Sequence, residues 1–225
     1  MAKEKINLQL YKYEKELWAQ NQVACGIDEV GRGCLAGPVV AAAAILYPHR
    51  YHPKLKDSKL LKPEVRTEVY NWLMLHSIYA VAINSARTID QKNIYKTTQL
   101  TMKQALLHLL EKTFSTPSLI LVDAVPLIIH NTPYHAIKQE SLIKGESKSA
   151  SIAAASIIAK VIRDRILQRI DHSFPHYHLK QHKGYATKDH QEALKKLKPS
   201  IIHRQTFLKK FNFQENFYEQ KSIFD

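Results

Sequence analysis

Cysteine is nearly absent. Cys25 and Cys34 are the only two among 225 residues, and with no C-x-x-C pattern they exclude a disulfide framework and a cysteine-built zinc finger. Long apolar runs are missing as well: the longest nearly apolar stretch, 34–47, is interrupted by Gly37 and Pro38 and falls short of the roughly 18 residues of a membrane span. No apolar h-region follows the opening Met1-Ala-Lys-Glu-Lys, so the chain reads as cytoplasmic, with no membrane attachment. Repeats, heptads and low-complexity tracts are also lacking, which removes solenoids and coiled coils and leaves one continuous fold. Acidic residues are in short supply. The 20 Asp and Glu face 33 Lys and Arg, a net charge of +13, while 45% of the residues are hydrophobic. That is enough to build a core, so the composition points to a basic globular protein whose natural partners are polyanions.

Periodicity supplies the elements. Residues 7–22 carry Leu8, Leu10, Tyr11, Leu17 and Trp18 among charges and predict a peripheral amphipathic helix. Segments 23–30 and 39–47 predict buried strands joined as a hairpin through Gly31-Arg32-Gly33 and Gly37-Pro38. Pro63 opens a helix over 63–76; a strand over 77–83 and a helix over 90–114 follow. Strands are predicted at 118–122 and 134–143, five in all. The Ala- and Ile-rich stretch 148–170 predicts a long helix with small side chains for close packing. Residues 174–225, broken by Pro175 and Pro199, predict shorter helical pieces. The expected organisation is an extension over 1–22, an α/β core over 23–172 and a C-terminal helical substrate-binding appendage over 173–225.

Four acids fall at predicted strand ends. Asp28 and Glu29 close the first strand, Asp123 closes another, and Glu146 follows a third, directly after Gly145. Ionised carboxylates at the end of apolar strands are costly unless a cation or donors compensate them, and converging carboxylates are hard ligands suited to magnesium or manganese. Adjacent strand residues point to opposite faces, so Asp28 and Glu29 share one ion only if the strand ends or bulges there. His172, His176, His178 and His182 cluster within eleven residues of one another, and His178 and His182 have i, i+4 spacing. Pro175 argues against one helix and no cysteine completes a zinc site, so solvated or phosphate-facing imidazoles are the better reading.

These residues carry a resemblance. Gly26-Ile-Asp-Glu-Val-Gly-Arg-Gly33, Leu35-Ala-Gly-Pro38, Asp57-Ser-Lys59, Asp123, Lys144-Gly145, Ala154-Ala-Ser-Ile157 with Ala159-Lys160, Arg163-Asp164 and His182-Lys-Gly-Tyr185 together resemble ribonuclease HII, over roughly residues 23–210. The resemblance implies an RNase H-like fold, a mixed five-stranded sheet flanked by helices, and a monomer. It further implies endonucleolytic cleavage of RNA in RNA/DNA hybrids and 5′ of single ribonucleotides embedded in duplex DNA, leaving 5′-phosphate and 3′-hydroxyl ends. Asp28, Glu29, Asp123 and Glu146 are then the catalytic metal ligands for Mn2+ or Mg2+, with two ions serving attacking water and leaving oxygen. The family more often has Asp where this chain has Glu146, so altered metal dependence with retained activity is expected.

For the substrate, the resemblance assigns Gly31, Arg32 and Gly33 to the ribose 2′-hydroxyl, the group that distinguishes RNA from DNA, and Tyr185 to the sugar at the RNA-to-DNA junction. Lys183 stands beside that tyrosine. Ser58, Lys59, Ser156, Lys160, Arg204 and Thr206 are expected phosphate contacts, being short hydroxyls and cations. Residues 144–210 hold 15 Lys and Arg against 5 Asp and Glu, ten of the thirteen excess charges, and so are expected to form one wall of a duplex-binding groove. A ribonuclease HIII-like hybrid nuclease and a noncatalytic basic nucleic-acid-binding protein are the rival readings. The first usually carries an additional N-terminal domain, and the second leaves the four acids unexplained.

Overall fold

The computed structural model describes residues 5–113 and 115–211. Of the predicted segments, residues 1–4, Phe114 and 212–225 lie outside the described residues. In chain order come α1 (Lys12–Trp18), β1 (Ala24–Val30), β2 (Val39–Leu46), α2 (Pro63–His76), β3 (Ser77–Asn84), α3 (Ala86–Lys92), α4 (Ile94–Leu110), β4 (Leu119–Asp123), β5 (Lys138–Leu142), α5 (Ala150–Ser173), α6 (Leu179–His182), α7 (Lys188–Leu197) and α8 (Gln205–Leu208). The strands form one sheet in the order β3-β2-β1-β4-β5. β1, β2 and β3 are successively antiparallel, while β4 and β5 run parallel to β1. The predicted mixed five-stranded α/β architecture with a C-terminal helical region is therefore present.

Two predicted elements besides the N-terminal helix differ in detail. The helix expected over 90–114 is two helices, because Asn93 takes φ +65° and its side chain accepts the Lys96 N–H at 3.0 Å, capping α4 and turning the chain. The strand expected over 134–143 is confined to β5, since 134–137 form a turn with Ile137 N–H donating to the Tyr134 carbonyl at 3.1 Å. Mixed polarity there reflected loop, which alternation alone does not separate from an edge strand.

Helices cover both faces of the sheet. On one side Ala42, Ala44 and Leu46 of β2 meet Ala150, Ala153, Ala154 and Ile157 of α5, Val69 and Leu73 of α2, and Tyr11 and Trp18 of the N-terminal segment. On the other, Cys25, Ile27, Ala41 and Ala43 meet Met102, Leu106 and Leu109 of α4. The four successive alanines of β2 are buried on both faces, and their small side chains let helices approach from each side. Gly26 is required for the same reason: a Cβ there would lie 2.1 Å from the Ser151 carbonyl carbon of α5. The N-terminal helix is shorter than predicted and less peripheral, with Leu10 3%, Tyr11 0% and Trp18 4% exposed. The C-terminal region has its own small core, in which Tyr177, Leu179, Leu194 and Leu208 close over Leu35 and Ala36 of the β1–β2 connection.

Candidate active site

The parallel pairing of β1 with β4 brings two acids together. Ile27 pairs with Val122, so the next residues along stand side by side: Asp28, two residues before the end of β1, and Asp123, the last residue of β4. Alternation puts both on the sheet face that carries Gly26 and α5. Asp28 is 6% exposed; it accepts the Glu29 N–H at 2.7 Å and a hydrogen bond from Ser156, whose hydroxyl in turn meets Ser58 Oγ at 2.9 Å. Asp123 Oδ1 accepts the Gly145 N–H at 2.7 Å, which ties the end of β4 to the turn carrying Glu146. Backbone strain sits on either side of this contact. Ala124 and Lys144 have φ +51° and +56°, a left-handed conformation that costs a non-glycine residue about 1 kcal/mol or more.

Glu29 stands apart. The β1–β2 register runs unbroken from Gly26 opposite Ala44 to Val30 opposite Val40, so the bulge that would have turned Asp28 and Glu29 to one side is absent. Glu29 instead projects from the opposite face, 3.3 Å from Arg32 Nη1. Among the described residues, no three Asp, Glu, His or Cys side chains already enclose one ion.

The carboxylates are nevertheless short of compensating positive charge. Burial holds the Asp28 carboxyl well above the usual range, and the charges of Glu29 and Asp123 push it further. Glu29 is raised by burial despite the opposing pull of Arg32. Glu146 is raised by burial and by Asp123 and Asp57, against the pull of Lys59. Burial acts to lower the Lys59 ammonium, but Asp57, Asp28, Glu146 and Asp123 outweigh it and hold the pKa above its ordinary value. Glu29 Oε2 and Glu146 Oε2 are buried without a hydrogen-bond partner among the described residues. Hard oxygen donors, uncompensated negative charge and two bare carboxylate oxygens fit divalent ions held by one or two carboxylates each and completed by phosphate and water oxygens, as magnesium commonly is.

Beside the acids lies the glycine turn. Gly31 has φ +95°, and a Cβ there would meet Arg163 Nε at 2.2 Å, whereas a Cβ on Gly33 would meet nothing within 4 Å. The first glycine is needed by the protein interior; the second keeps an exposed stretch of backbone bare toward a ligand. Two arginines, each 0% exposed, hold this turn. Arg204 donates to Gly31 O at 2.6 Å, Arg32 O at 2.8 Å and Gly37 O at 2.9 Å. Arg163 donates to Pro38 O at 3.0 Å, Ala36 O at 3.2 Å and Lys183 O at 2.9 Å. Leu35 N–H donates to Gly184 O at 2.8 Å. The glycine turn and the Lys183-Gly184-Tyr185 segment are thus stitched into one surface, on which Tyr185 is exposed. Burial and the neighbouring Cys34 raise its phenol pKa.

Several expected phosphate contacts also make bonds within the protein, and some are buried by them. Arg204 is a buried clamp on backbone carbonyls, because its guanidinium fork matches three oxygens that would otherwise be bare; burial lowers its pKa only to about 10, so it stays charged. Thr206 Oγ1 donates to Asp90 at 2.6 Å, fastening α8 to α3. Ser58 and Ser156 are buried and bonded to each other. Lys160 pairs with Asp164 at 2.8 Å, and Lys183 Nζ donates to Lys180 O at 2.7 Å. Lys59 is exposed beside the acids. His178 is exposed and left-handed, outside α6, so it shares no helical face with His182. His182 is neither solvated nor phosphate-facing: it is buried and stacks on His190 at 4.2 Å.

Neither the role of Arg163 nor the pairing of His190 with His203, whose Nε2 atoms lie 3.1 Å apart, is among the expectations from the sequence. A signal existed for the first: Arg163 falls on the stripe Ala159, Arg163, Leu167 that faces the core of α5. The histidine pair spans two segments and left no periodic trace.

Comparison with known proteins shows the family and the fold. The family model described as Ribonuclease HII matches residues 25–215. A ribonuclease HII of Alkaliphilus metalliredigens is 46% identical over 201 residues, 88% of this chain and 96% of that protein. The crystal structure of the ribonuclease H2 from Pyrococcus horikoshii superposes with a TM-score of 0.69 at 24% identity, covering 86% of this chain and all of that one. A structure of Bst-RNase HIII in complex with Mn2+ aligns with a TM-score of 0.60 at 23% identity, covering 78% of this chain and 61% of that one.

Proposed function

The chain belongs to the ribonuclease HII family, and from that membership we propose that this ribonuclease H cuts the RNA strand of RNA/DNA hybrids and also incises duplex DNA 5′ of a single embedded ribonucleotide. The observation that carries the second activity is the joined surface of Gly31, Arg32 and Gly33 with Tyr185, built next to Asp28 and Asp123. Bare backbone at Gly33 can meet a 2′-hydroxyl, and the tyrosine ring supplies a flat apolar face against the adjoining sugar. One ribose is enough to satisfy such a reader, so a long hybrid is not required.

Asp28, Glu29, Asp123 and Glu146 are proposed to hold Mn2+ or Mg2+. When bound, the ions supply an activated water and stabilise the leaving 3′ oxygen. The chain's own part is to keep four carboxylates in place without ions to neutralise them. Ser156 and the Glu29 N–H stabilise the Asp28 carboxylate, the Gly145 N–H stabilises that of Asp123, and Lys59 adds positive charge beside them. Lys59, Lys160 and Lys183, with the basic stretch 144–210, are proposed to track the phosphates. Arg204 and Arg163 act through the backbone they hold. Cys25 and Cys34 are both free and buried, which suits the reducing cytoplasm proposed as the site of action. No helix among the described residues is long and apolar enough to cross a membrane.

The test is cleavage of a DNA duplex containing one ribonucleotide beside an RNA/DNA hybrid, each with Mn2+ and with Mg2+. Cutting of both, with 5′-phosphate and 3′-hydroxyl ends at the single ribonucleotide, is expected. Cleavage of the hybrid alone would overturn the single-ribonucleotide reading and favour the HIII-like one.

A further inference from the structure

The N-terminal helix reaches the catalytic turn. Neighbouring residues of α1 contact the two elements on either side of the segment that carries Glu146: Tyr13 OH donates to Glu140 Oε1 of β5 at 2.8 Å, and Glu14 Oε1 accepts from Ser149 Oγ at 2.7 Å and from the Ser151 N–H of α5 at 2.8 Å. The chain of hydrogen bonds continues inward. Ser149 N–H donates to Gly145 O at 2.9 Å, and Gly145 N–H donates to Asp123 Oδ1 at 2.7 Å. Glu14 is 1% exposed, and its Oε2 has no hydrogen-bond partner among the described residues. A carboxylate so placed is tolerated because it faces the positive end of a 24-residue helix, whose first N–H groups lack intrahelical acceptors.

We propose that Glu14 is a positioning residue for the Gly145–Ser149 turn, so that α1 belongs to the working parts of the active centre and, with Tyr13, sets where Glu146 and the Asp123 carboxylate stand. This rests on the reading of Asp123 and Glu146 as metal ligands. Its physical content is that the turn is spanned by β5 and α5, and α1 fixes the spacing between them from outside. Losing the outer support of a metal-ligating group costs roughly 10–100-fold in metal affinity or activity.

The experiment compares Glu14→Ala, Glu14→Gln and Tyr13→Phe with the wild-type chain and with Glu146→Gln. Readouts are kcat and KM on an RNA/DNA hybrid, the Mn2+ concentration for half-maximal cleavage, and hydrogen exchange of peptides covering residues 143–151. Glu14→Ala is expected to lower kcat roughly tenfold or more, with little change in KM and a higher Mn2+ requirement. It is also expected to speed exchange in 143–151 while peptides of the β1–β2 hairpin keep wild-type protection. Glu14→Gln, which retains the accepting oxygen, is expected to lie between, and Tyr13→Phe to show a weaker form of the same pattern; these two carry the test should Glu14→Ala not fold. Wild-type kcat and exchange in the Glu14 variants while Glu146→Gln is crippled would overturn the proposal alone. Exchange accelerated equally across the chain, with no selective fall in kcat, would overturn it too. Wild-type kcat in Glu146→Gln would overturn the ligand reading beneath it.

Discussion

Arg204 donates to the carbonyl oxygen of Gly31 at 2.6 Å across 173 positions of sequence. This bond, with those to Arg32 and Gly37, ties the C-terminal region to the glycine turn proposed to face the ribose. Lysine carries its three donors on a single nitrogen and has no planar fork, so it cannot span carbonyls spaced to fit a guanidinium. Arg204→Lys is expected to cost roughly 3 kcal/mol, since charge-assisted hydrogen bonds contribute about 1.5–3 kcal/mol each. Urea unfolding measures that loss. The ratio of single-ribonucleotide to hybrid cleavage should fall in parallel; an unchanged ratio would separate the clamp from recognition.

Asp28→Asn and Asp123→Asn are each expected to reduce kcat by more than the roughly 10–100-fold typical of supporting residues, leaving hybrid affinity close to wild type. Single-turnover cleavage and fluorescence anisotropy check the two halves. Asp28→Asn carries a second consequence. Burial and the like charges of Glu29 and Asp123 raise the Asp28 pKa in the fold, so its ionised form destabilises the metal-free protein near neutral pH. The amide is expected to raise the melting temperature in EDTA, at about 2–4 °C per kcal/mol relieved in a chain of this size. A lower melting temperature would refute the repulsion.

Glu146 can be tested in both directions. Glu146→Asp, which shortens the arm by one methylene, is expected to retain activity with a shifted ratio of Mn2+ to Mg2+ dependence. Glu146→Gln is expected to lose most turnover. Near-normal cleavage by the Gln variant across both metals would remove Glu146 from the ligand set.

Histidine burial predicts acid sensitivity. Burial lowers the pKa of His190 to about 4 and that of His203 to about 3, and the hydrogen bonds suit neutral rings: His203 Nδ1 accepts the Ser200 N–H at 3.0 Å, leaving Nε2–H to meet His190. Below pH about 6.5 the unfolded chain takes up protons that the folded one refuses. The stabilisation is therefore complete above that pH and is lost as pH falls toward 4 and 3, at up to about 1.4 kcal/mol per pH unit for each ring. Asp28, Glu29 and Glu146, with raised pKa values, work in the opposite sense. Urea titrations of wild type and His203→Gln separate the two, and their stability gap is expected to narrow from pH 6.5 to pH 4. A constant gap would exclude a neutral buried His203.

Duplex affinity is expected to fall steeply with salt, in proportion to the phosphates neutralised. Lys59→Gln is expected to weaken hybrid binding and to reduce the slope of log K against log salt by about 1. Anisotropy across a KCl series measures both. An unaltered slope would mean that Lys59 serves the carboxylates alone.

Local patterns determined much of this protein from the amino-acid order alone. Apolar runs that lead into Asp28 and Asp123 and the Gly31-Arg32-Gly33 turn are written in neighbouring residues, and strand alternation or a helical repeat reports burial directly. The halves of α3 and α4 were separable in principle, because Asn93 is a good N-cap. What the sequence could not hold is pairing between distant segments. Arg204 has the composition of a phosphate contact, and only the closure of the C-terminal region over Leu35 and Ala36 turns it into a clamp on Gly31. Glu14 reads as one more charge on an amphipathic helix until α1 lies across the start of α5. Whether the chain bulges between Asp28 and Glu29 was not written in their order, and only the register with β2 shows that the strand continues unbroken and sends them to opposite faces. A residue's type limits the bonds it can make. Which bond forms is decided by the partners that the tertiary fold brings within about 3 Å and by the water it removes, since a buried charge must find donors or acceptors where the chain places them.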